Sequence, residues 1–150
     1  MKLYLDTSVP SMYYDDRYPD RSLLTRKFWE KLKDHEVIIS IFVEAELTEL
    51  RLIDPGRADK TLALIDPFPK AGYTSQVDSL VQTYMNAGIF RRSARTDARH
   101  IAVATLEKVD YLVSWNFKDI VNLKTKAQIC AVNISLGYSR LEIISPPELP

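Results

Sequence analysis

The chain has 150 residues, of which 46% are hydrophobic, and its 20 basic and 20 acidic side chains give a net charge of zero. This length and composition exclude a disordered chain, because disordered chains are poor in apolar residues and carry a large net charge. They fit one folded domain over residues 1–150. The balanced charge gives no overall attraction to a polyanion, so any contact with nucleic acid must come from local clusters of basic residues.

The chain carries one cysteine and no apolar run of bilayer length. Cys130 cannot form an internal disulfide, and its apolar surroundings predict a buried, unreactive thiol in a reducing compartment. Asp6 comes too early for the apolar region of a signal peptide. We therefore expect a cytoplasmic protein without a membrane anchor.

The first half of the chain alternates short β-branched segments with segments of helical periodicity. The predicted elements are, in order, a strand at Lys2–Leu5, a helix at Asp20–Lys33 with Asp20 as its N-cap, a strand at Val37–Ile39, and a helix at Ile41–Ile53. Each strand is thus followed by a helix, which is typical of a parallel sheet.

The second half of the chain continues this alternation. The predicted elements are helices near Arg57–Ile65 and Ser75–Ala87 flanking a link at Pro67–Gly72 with room for a short strand, a helix at Thr96–Lys108, a strand at Tyr111–Val113, a helix at Lys124–Leu136 and a strand at Leu141–Ile144. The pattern predicts an α/β fold, a three-layer α/β/α sandwich around a central, mostly parallel sheet. Ligands of such sheets bind beyond the carboxyl ends of the strands.

Two acidic residues in the first half are candidates for function. Asp6 directly follows the first strand, where its carboxylate either projects into the crevice above the sheet or caps the next helix. Glu46 lies on the apolar face of its predicted helix, a face that includes Leu47, Leu50 and Ile53. A carboxylate there is costly unless it binds a metal or pairs with a buried cation. A buried arginine is the disfavoured alternative, because arginines are scarce on the predicted core faces.

The second half supplies further polar candidates. Asp97 lies in the first turn of a largely apolar helix, where it either reaches the same crevice or only interacts with the helix dipole. Ser114, Asn116 and Asp119 follow the strand that ends at Val113, so each is placed to reach the crevice. The sequence thus collects acidic and hydroxyl side chains at one predicted edge of the sheet.

Taken together, four segments of the chain resemble PIN domains in their order and spacing. They are Leu5–Ser8, Ser40–Leu47, Asp97–Ala104 and Asp110–Asp119. The best-known relatives are toxin ribonucleases of the VapC type. The resemblance implies a metal-dependent endoribonuclease that hydrolyses RNA with Mg²⁺ or Mn²⁺, a homodimer and, for a toxin, an antitoxin partner.

By matching positions, the resemblance also implies an acidic quartet of metal ligands. Three of them are Asp6, Glu46 and Asp97; the fourth is Asp119 or Asn116, with Ser114 assisting. Many PIN domains carry an acid where Asn116 stands, whereas others carry it three residues later. The fourth ligand and the number of metal ions therefore stay open, and a catalytically weakened PIN-fold protein that binds RNA is the alternative.

The residue types suit this chemistry. Carboxylate oxygens are hard ligands that Mg²⁺ and Mn²⁺ prefer, and such ions activate water for attack on a phosphodiester. Basic residues close to the proposed ligands are candidates for RNA contact, with a solvated basic surface as the alternative. They are Arg91, Arg92, Arg95, Arg99 and Lys118, with Lys124 and Lys126 as extensions of that surface.

Overall fold

A five-stranded, fully parallel β-sheet forms the centre of the computed structural model, which describes residues 1–150. Its strands are β1 (Lys2–Leu5), β2 (Glu36–Ser40), β3 (Lys70–Ala71), β4 (Tyr111–Val113) and β5 (Glu142–Ile144). They lie in the order β3-β2-β1-β4-β5. The predicted α/β fold with a parallel sheet flanked by helices is confirmed.

Seven α-helices connect and cover the strands. They are α1 (Ser8–Tyr13), α2 (Pro19–Lys31), α3 (Ile41–Glu49), α4 (Pro55–Ile65), α5 (Ser75–Asn86), α6 (Arg95–Leu106) and α7 (Leu123–Ser135). Short 3₁₀ turns lie at Leu32–Asp34, Leu50–Leu52, Arg92–Ala94 and Pro146–Glu148. None of the helices combines the length and the apolar composition that a membrane crossing requires.

Three of the helices begin at a side-chain cap. Asp54, Thr74 and Asn122 each accept a hydrogen bond from the backbone N–H three residues further on, at the starts of α4, α5 and α7. Such caps satisfy donors that the first helical turn leaves unpaired. The sequence therefore fixes where these helices start.

The core surrounds the central strand and the buried helix α6. Leu3, Tyr4 and Leu5 of β1 are fully buried, as expected for a parallel strand covered on both faces. In α6, the residues from His100 to Thr105 are all buried. Both elements therefore hold the side chains at their ends in fixed positions.

Three sequence expectations are wrong. Asp20 is not an N-cap, because α2 starts at Pro19, whose fixed φ suits the first helical position, and Asp20 lies in the first turn. The predicted helix to Ile53 ends at Glu49 and tightens into a 3₁₀ turn, which leaves Ile53 85% exposed instead of buried. Cys130 is exposed, because α7 buries Ile129 and a rotation of about 100° turns the next residue to solvent.

The strand order sets the position of the candidate residues. From β1 the chain builds the sheet to one side through β2 and β3, then returns to the other side of β1 with β4. Leu5 pairs with Val113 in the parallel register, so the residues after β1 and β4 emerge side by side. A crevice opens at such a switch point.

Candidate active site

Asp6 lies in this crevice as a buried carboxylate without a lysine or arginine partner. Its Oδ2 accepts a hydrogen bond from Ser114 Oγ at 2.6 Å, and its Oδ1 accepts one from the Ser8 N–H at 3.1 Å. Burial raises the pKa of Asp6, and the charge of His100 and the serine hydroxyls only partly oppose this rise. The N-cap of α1 is Thr7 and not Asp6, although the Asp6 carboxylate accepts a hydrogen bond from the first turn of that helix.

Asp97 reaches the same crevice from the first turn of α6. Its Oδ1 accepts a hydrogen bond from Asn116 Nδ2 at 3.2 Å. Burial raises the pKa of Asp97 to about 6; the carboxylates of Asp6 and Asp119 add to this rise, and His100 opposes it. The carboxylates of Asp6 and Asp119 therefore lie close enough to Asp97 to act on its charge.

The turn after β4 links these acids through a chain of hydrogen bonds. The Asn116 N–H donates to Ser114 Oγ at 2.9 Å, and Ser114 in turn donates to Asp6. Asn116 Oδ1 accepts from the Asp119 N–H at 3.0 Å. The path from Asp6 through Ser114 and Asn116 to Asp97 is therefore continuous.

Asp119 lies at the outer edge of this cluster and is paired with an arginine. Arg91 Nε donates to Oδ1 of Asp119 at 3.1 Å, and Arg91 Nη2 donates to Oδ2 at 3.0 Å. Both carboxylate oxygens are thus held by one guanidinium. Of the two residues considered for the fourth position, Asn116 contacts Asp97 directly, whereas Asp119 faces Arg91.

Glu46 enters from α3 and is partly exposed instead of embedded in the core. Its Oε1 accepts hydrogen bonds from His100 Nε2 at 2.6 Å and from Thr7 Oγ1 at 2.8 Å. Burial raises the pKa of Glu46, but the hydrogen bond and charge of His100 outweigh this effect and lower it. The buried partner of Glu46 is thus a histidine and not the arginine considered from the sequence.

His100 is a site residue that the sequence analysis missed. Its Nδ1 lies 2.7 Å from the Tyr4 hydroxyl, which lies 2.7 Å from Ser40 Oγ. Burial lowers the pKa of His100, but the hydrogen bond and the charge of Glu46 raise it by more than burial lowers it, so the net shift is upward. A usable signal was its spacing of three residues from Asp97, which puts both side chains on one face of α6.

Two solved structures share this architecture along almost their entire length. A chain of the crystal structure of VapBC2 from Rickettsia felis bound to a DNA fragment from their promoter covers 97% of the present chain and 98% of its own, with a TM-score of 0.62 and 17% identity. The protein has the PIN-domain fold. A chain of the crystal structure of FitAcB from Neisseria gonorrhoeae covers 98% and 99%, with a TM-score of 0.64 and 14% identity. No family model and no curated protein matches the sequence, so the likeness lies in the fold.

The oxygen ligands that this PIN fold brings together are of the kind that a hard divalent cation prefers. No three acidic, histidine or cysteine side chains are close enough together to form a metal site as they stand. Glu46 is hydrogen-bonded to His100, and Asp119 is paired with Arg91. Asp6 and Asp97 accept hydrogen bonds only from serine and asparagine side chains and from backbone N–H. Carboxylate and amide oxygens of this kind fit Mg²⁺ or Mn²⁺.

The basic residues predicted to contact RNA are spread over several surfaces of the PIN fold. Arg91 holds Asp119, and the charge of Arg99 helps to lower the pKa of Glu46, so both border the carboxylates. Arg95 donates to Gln82 Oε1 of α5 at 3.3 Å. Arg92 and Lys118 are exposed, and Lys126 lies near Glu148 at the end of the chain.

A groove with a volume of about 500 Å³ runs from Glu46 across the end of α3. Thr7 and Glu46 line its polar end, and Leu50, Leu52 and Ile53 line its apolar end. The last two side chains are more than four-fifths exposed. Of the candidate ligands, Glu46 therefore borders a groove that is open to solution.

Proposed function

We propose that this protein is a Mg²⁺- or Mn²⁺-dependent endoribonuclease that hydrolyses RNA phosphodiester bonds. The observation that carries the proposal is the pair Asp6 and Asp97, two carboxylates joined through Ser114 and Asn116 without a lysine or arginine bonded to either. Buried carboxylates without cationic partners are costly, and a divalent ion removes that cost. The switch point of a parallel sheet is also the usual place for a ligand.

Each residue of the cluster has a distinct part in this proposal. Asp6 and Asp97 are the inner metal ligands, Glu46 is the third, and Asp119 or Asn116 is the fourth. Ser114 fixes the orientation of the Asp6 carboxylate, because its hydroxyl donates to Oδ2. A divalent ion bound there supplies an activated water and charge stabilisation for the leaving oxygen.

RNA contact is assigned to the basic residues around the crevice. Positive side chains beside the ligands neutralise the phosphates that flank the scissile bond. The proposed set is Arg91, Arg92, Arg95, Arg99 and Lys118. Because the net charge of the protein is zero, we expect RNA affinity to depend on this local set.

We further propose that the nuclease is the toxin of a toxin-antitoxin pair, with an antitoxin protein as partner. The resemblance to VapC-type toxins and the shared fold with the VapBC2 and FitAcB structures support this part. Exposed Leu52 and Ile53, in the same groove as Glu46, offer an apolar surface for such a partner. The homodimer implied by the resemblance stays a prediction.

Cleavage of single-stranded RNA in Mn²⁺ by the wild type and two matched variants tests the proposal. Asp97→Asn removes an acid from the first turn of α6, whereas Asp78→Asn removes an exposed acid from the first turn of α5. We expect Asp97→Asn, like Asp6→Asn, to lose more than about 100-fold in cleavage rate, since even partners behind a ligand cost about 10–100-fold. Asp78→Asn should cleave like the wild type.

Equal, small effects of the two variants would contradict the proposal, because Asp97 would then act only on the helix dipole. The alternative, a catalytically weakened RNA-binding PIN protein, is favoured by Asn116 at an often acidic position and by the pairing of Asp119 with Arg91. A wild type that binds RNA in Mn²⁺ but does not cut it would support that alternative.

A further inference from the structure

The loop between α5 and α6 places a guanidinium at the outer edge of the acidic cluster. Arg91 immediately precedes the 3₁₀ turn at Arg92–Ala94 that leads into α6. Its bidentate pair with Asp119 uses both oxygens of that carboxylate, at 3.1 and 3.0 Å. The side chain of Asp119 is only 15% exposed, whereas that of Arg91 is 51% exposed. The arginine therefore covers the carboxylate from the solvent side.

The surroundings leave Asp119 no other partner for its carboxylate. Its backbone is fixed, because its N–H donates to Asn116 and its carbonyl accepts from Thr125 Oγ1 at 3.1 Å. Arg91 alone therefore determines where the carboxylate points. The negative charge of Asp97 acts on Arg91 as well, so the guanidinium balances charge across the outer half of the cluster.

A divalent cation at Asp119 competes with this arginine. Each carboxylate oxygen already accepts an N–H of Arg91, and the positive charges of the guanidinium and the ion repel each other at short range. Asp6 and Asp97 have no such competitor among the lysines and arginines of the chain. We therefore expect the inner acids, Asp6 and Asp97, to bind a metal ion more tightly than the outer acid, Asp119.

We propose that Arg91 is a built-in competitor for a metal at Asp119, so that the wild type binds one divalent ion at the inner acids and takes a second only weakly. This inference rests on the proposed metal-dependent function and decides between one and two ions. Arg91 is thus a positioning residue that acts through Asp119.

Isothermal titration of the purified chain with Mn²⁺ alone, without RNA, tests this role. Arg91→Met removes the guanidinium but keeps a long side chain, and Arg92→Met makes the same charge change at an exposed neighbour that has no ion pair. We expect Arg91→Met to tighten a second Mn²⁺ by about tenfold or more, because a nearby like charge is gone. Arg92→Met should keep the wild-type isotherm.

The double variant Arg91→Met/Asp119→Asn should return to one site, since the carboxylate that Arg91 releases is absent. A wild type with two equal Mn²⁺ sites, or an Arg91→Met variant with an unchanged isotherm, would overturn the role of Arg91 while leaving the proposed function intact. Absence of Mn²⁺ binding in every chain would overturn both proposals. Circular dichroism of each variant checks that the fold is kept.

Discussion

His100 connects the central strand to the candidate metal ligands. Each of its ring nitrogens has a polar partner, Tyr4 on one side and Glu46 on the other. The ring lies in the core, so its orientation is set by packing as well as by these bonds. His100 therefore holds the Glu46 carboxylate in place, and in the proposed nuclease it acts as a partner behind a metal ligand.

We expect His100→Ala to lower kcat by about 10–100-fold, because Glu46 loses the donor that fixes its carboxylate. His100→Gln should recover a large part of kcat, since its amide N–H can donate to Glu46 in place of Nε2. Steady-state kinetics with an RNA substrate, with melting temperatures recorded in parallel, separate this effect from a loss of stability.

Tyr84→Phe provides the control for this prediction. It removes a hydroxyl from another buried network, in which Tyr84 donates to Asn133 at 2.6 Å, and this network includes none of the candidate ligands. It should lower the melting temperature without lowering kcat. If His100→Ala and His100→Gln lose kcat equally, and these losses follow the decrease in melting temperature, then His100 only stabilises the core.

The individual site residues were predictable from the sequence to different degrees. Asp6 and Asp97 could be proposed from the sequence, because Asp6 follows a strand and Asp97 lies on an inward helix face, where a solubilising charge is not expected. The pairing of Arg91 with Asp119 could not be predicted, because it joins two loops whose relative position depends on the whole sheet. The partner of Glu46 was not predicted, because it is a histidine of α6 that only the fold brings to α3.

Among the helices, α4 is tied to the link between α1 and α2 by a small ion cluster. Asp15 is only 4% exposed, and its Oδ2 lies 2.9 Å from Arg17 Nη2 and 3.1 Å from Arg57 Nη1 of α4. The hydrogen bond from Arg17 lowers the pKa of Asp15 and the charge of Arg57 adds to this, whereas burial opposes it. The cluster therefore stabilises the docking of these elements while Asp15 is ionised.

We predict that Asp15→Asn lowers the free energy of unfolding by about 1–3 kcal/mol at pH 7, the cost of weakening a charged hydrogen bond. Because the folded-state pKa of Asp15 lies below its unfolded value of about 4, the stabilisation is present above that value. It is lost as the pH falls through the folded-state pKa. Urea unfolding of both proteins between pH 7 and pH 3 measures the difference.

Asp16→Asn, at the exposed neighbouring position, is the matched control and should follow the wild type at every pH. A difference between Asp15→Asn and the wild type that stays constant down to pH 3 would show that charge at Asp15 is not what holds these elements together.

The helices and strands were predictable from periodicity, and their ends only where a cap is local. Asp54 and Asn122 cap α4 and α7 through bonds three residues away, which a sequence can reveal. The tightening of α3 into a 3₁₀ turn and the exposure of Cys130 depend on packing against other elements. Neither feature could be predicted from the local sequence pattern.

For the whole molecule, the alternation of strands and helices was enough to predict a parallel sheet, because parallel strands need crossover helices. The strand order was not predictable in this way, although it brings Asp6 and Ser114 together at the switch between β1 and β4. The candidate site thus depends on a topology that places distant segments of the chain at one edge of the sheet.

Anomalous scattering from a crystal soaked in Mn²⁺ shows whether Asp6 and Asp97 bind a divalent cation. We expect a peak between the carboxylates of Asp6 and Asp97, within coordination distance of both, and its loss in a crystal of Asp6→Asn. Anomalous density only elsewhere on the protein, or none at a saturating Mn²⁺ concentration, would contradict this expectation.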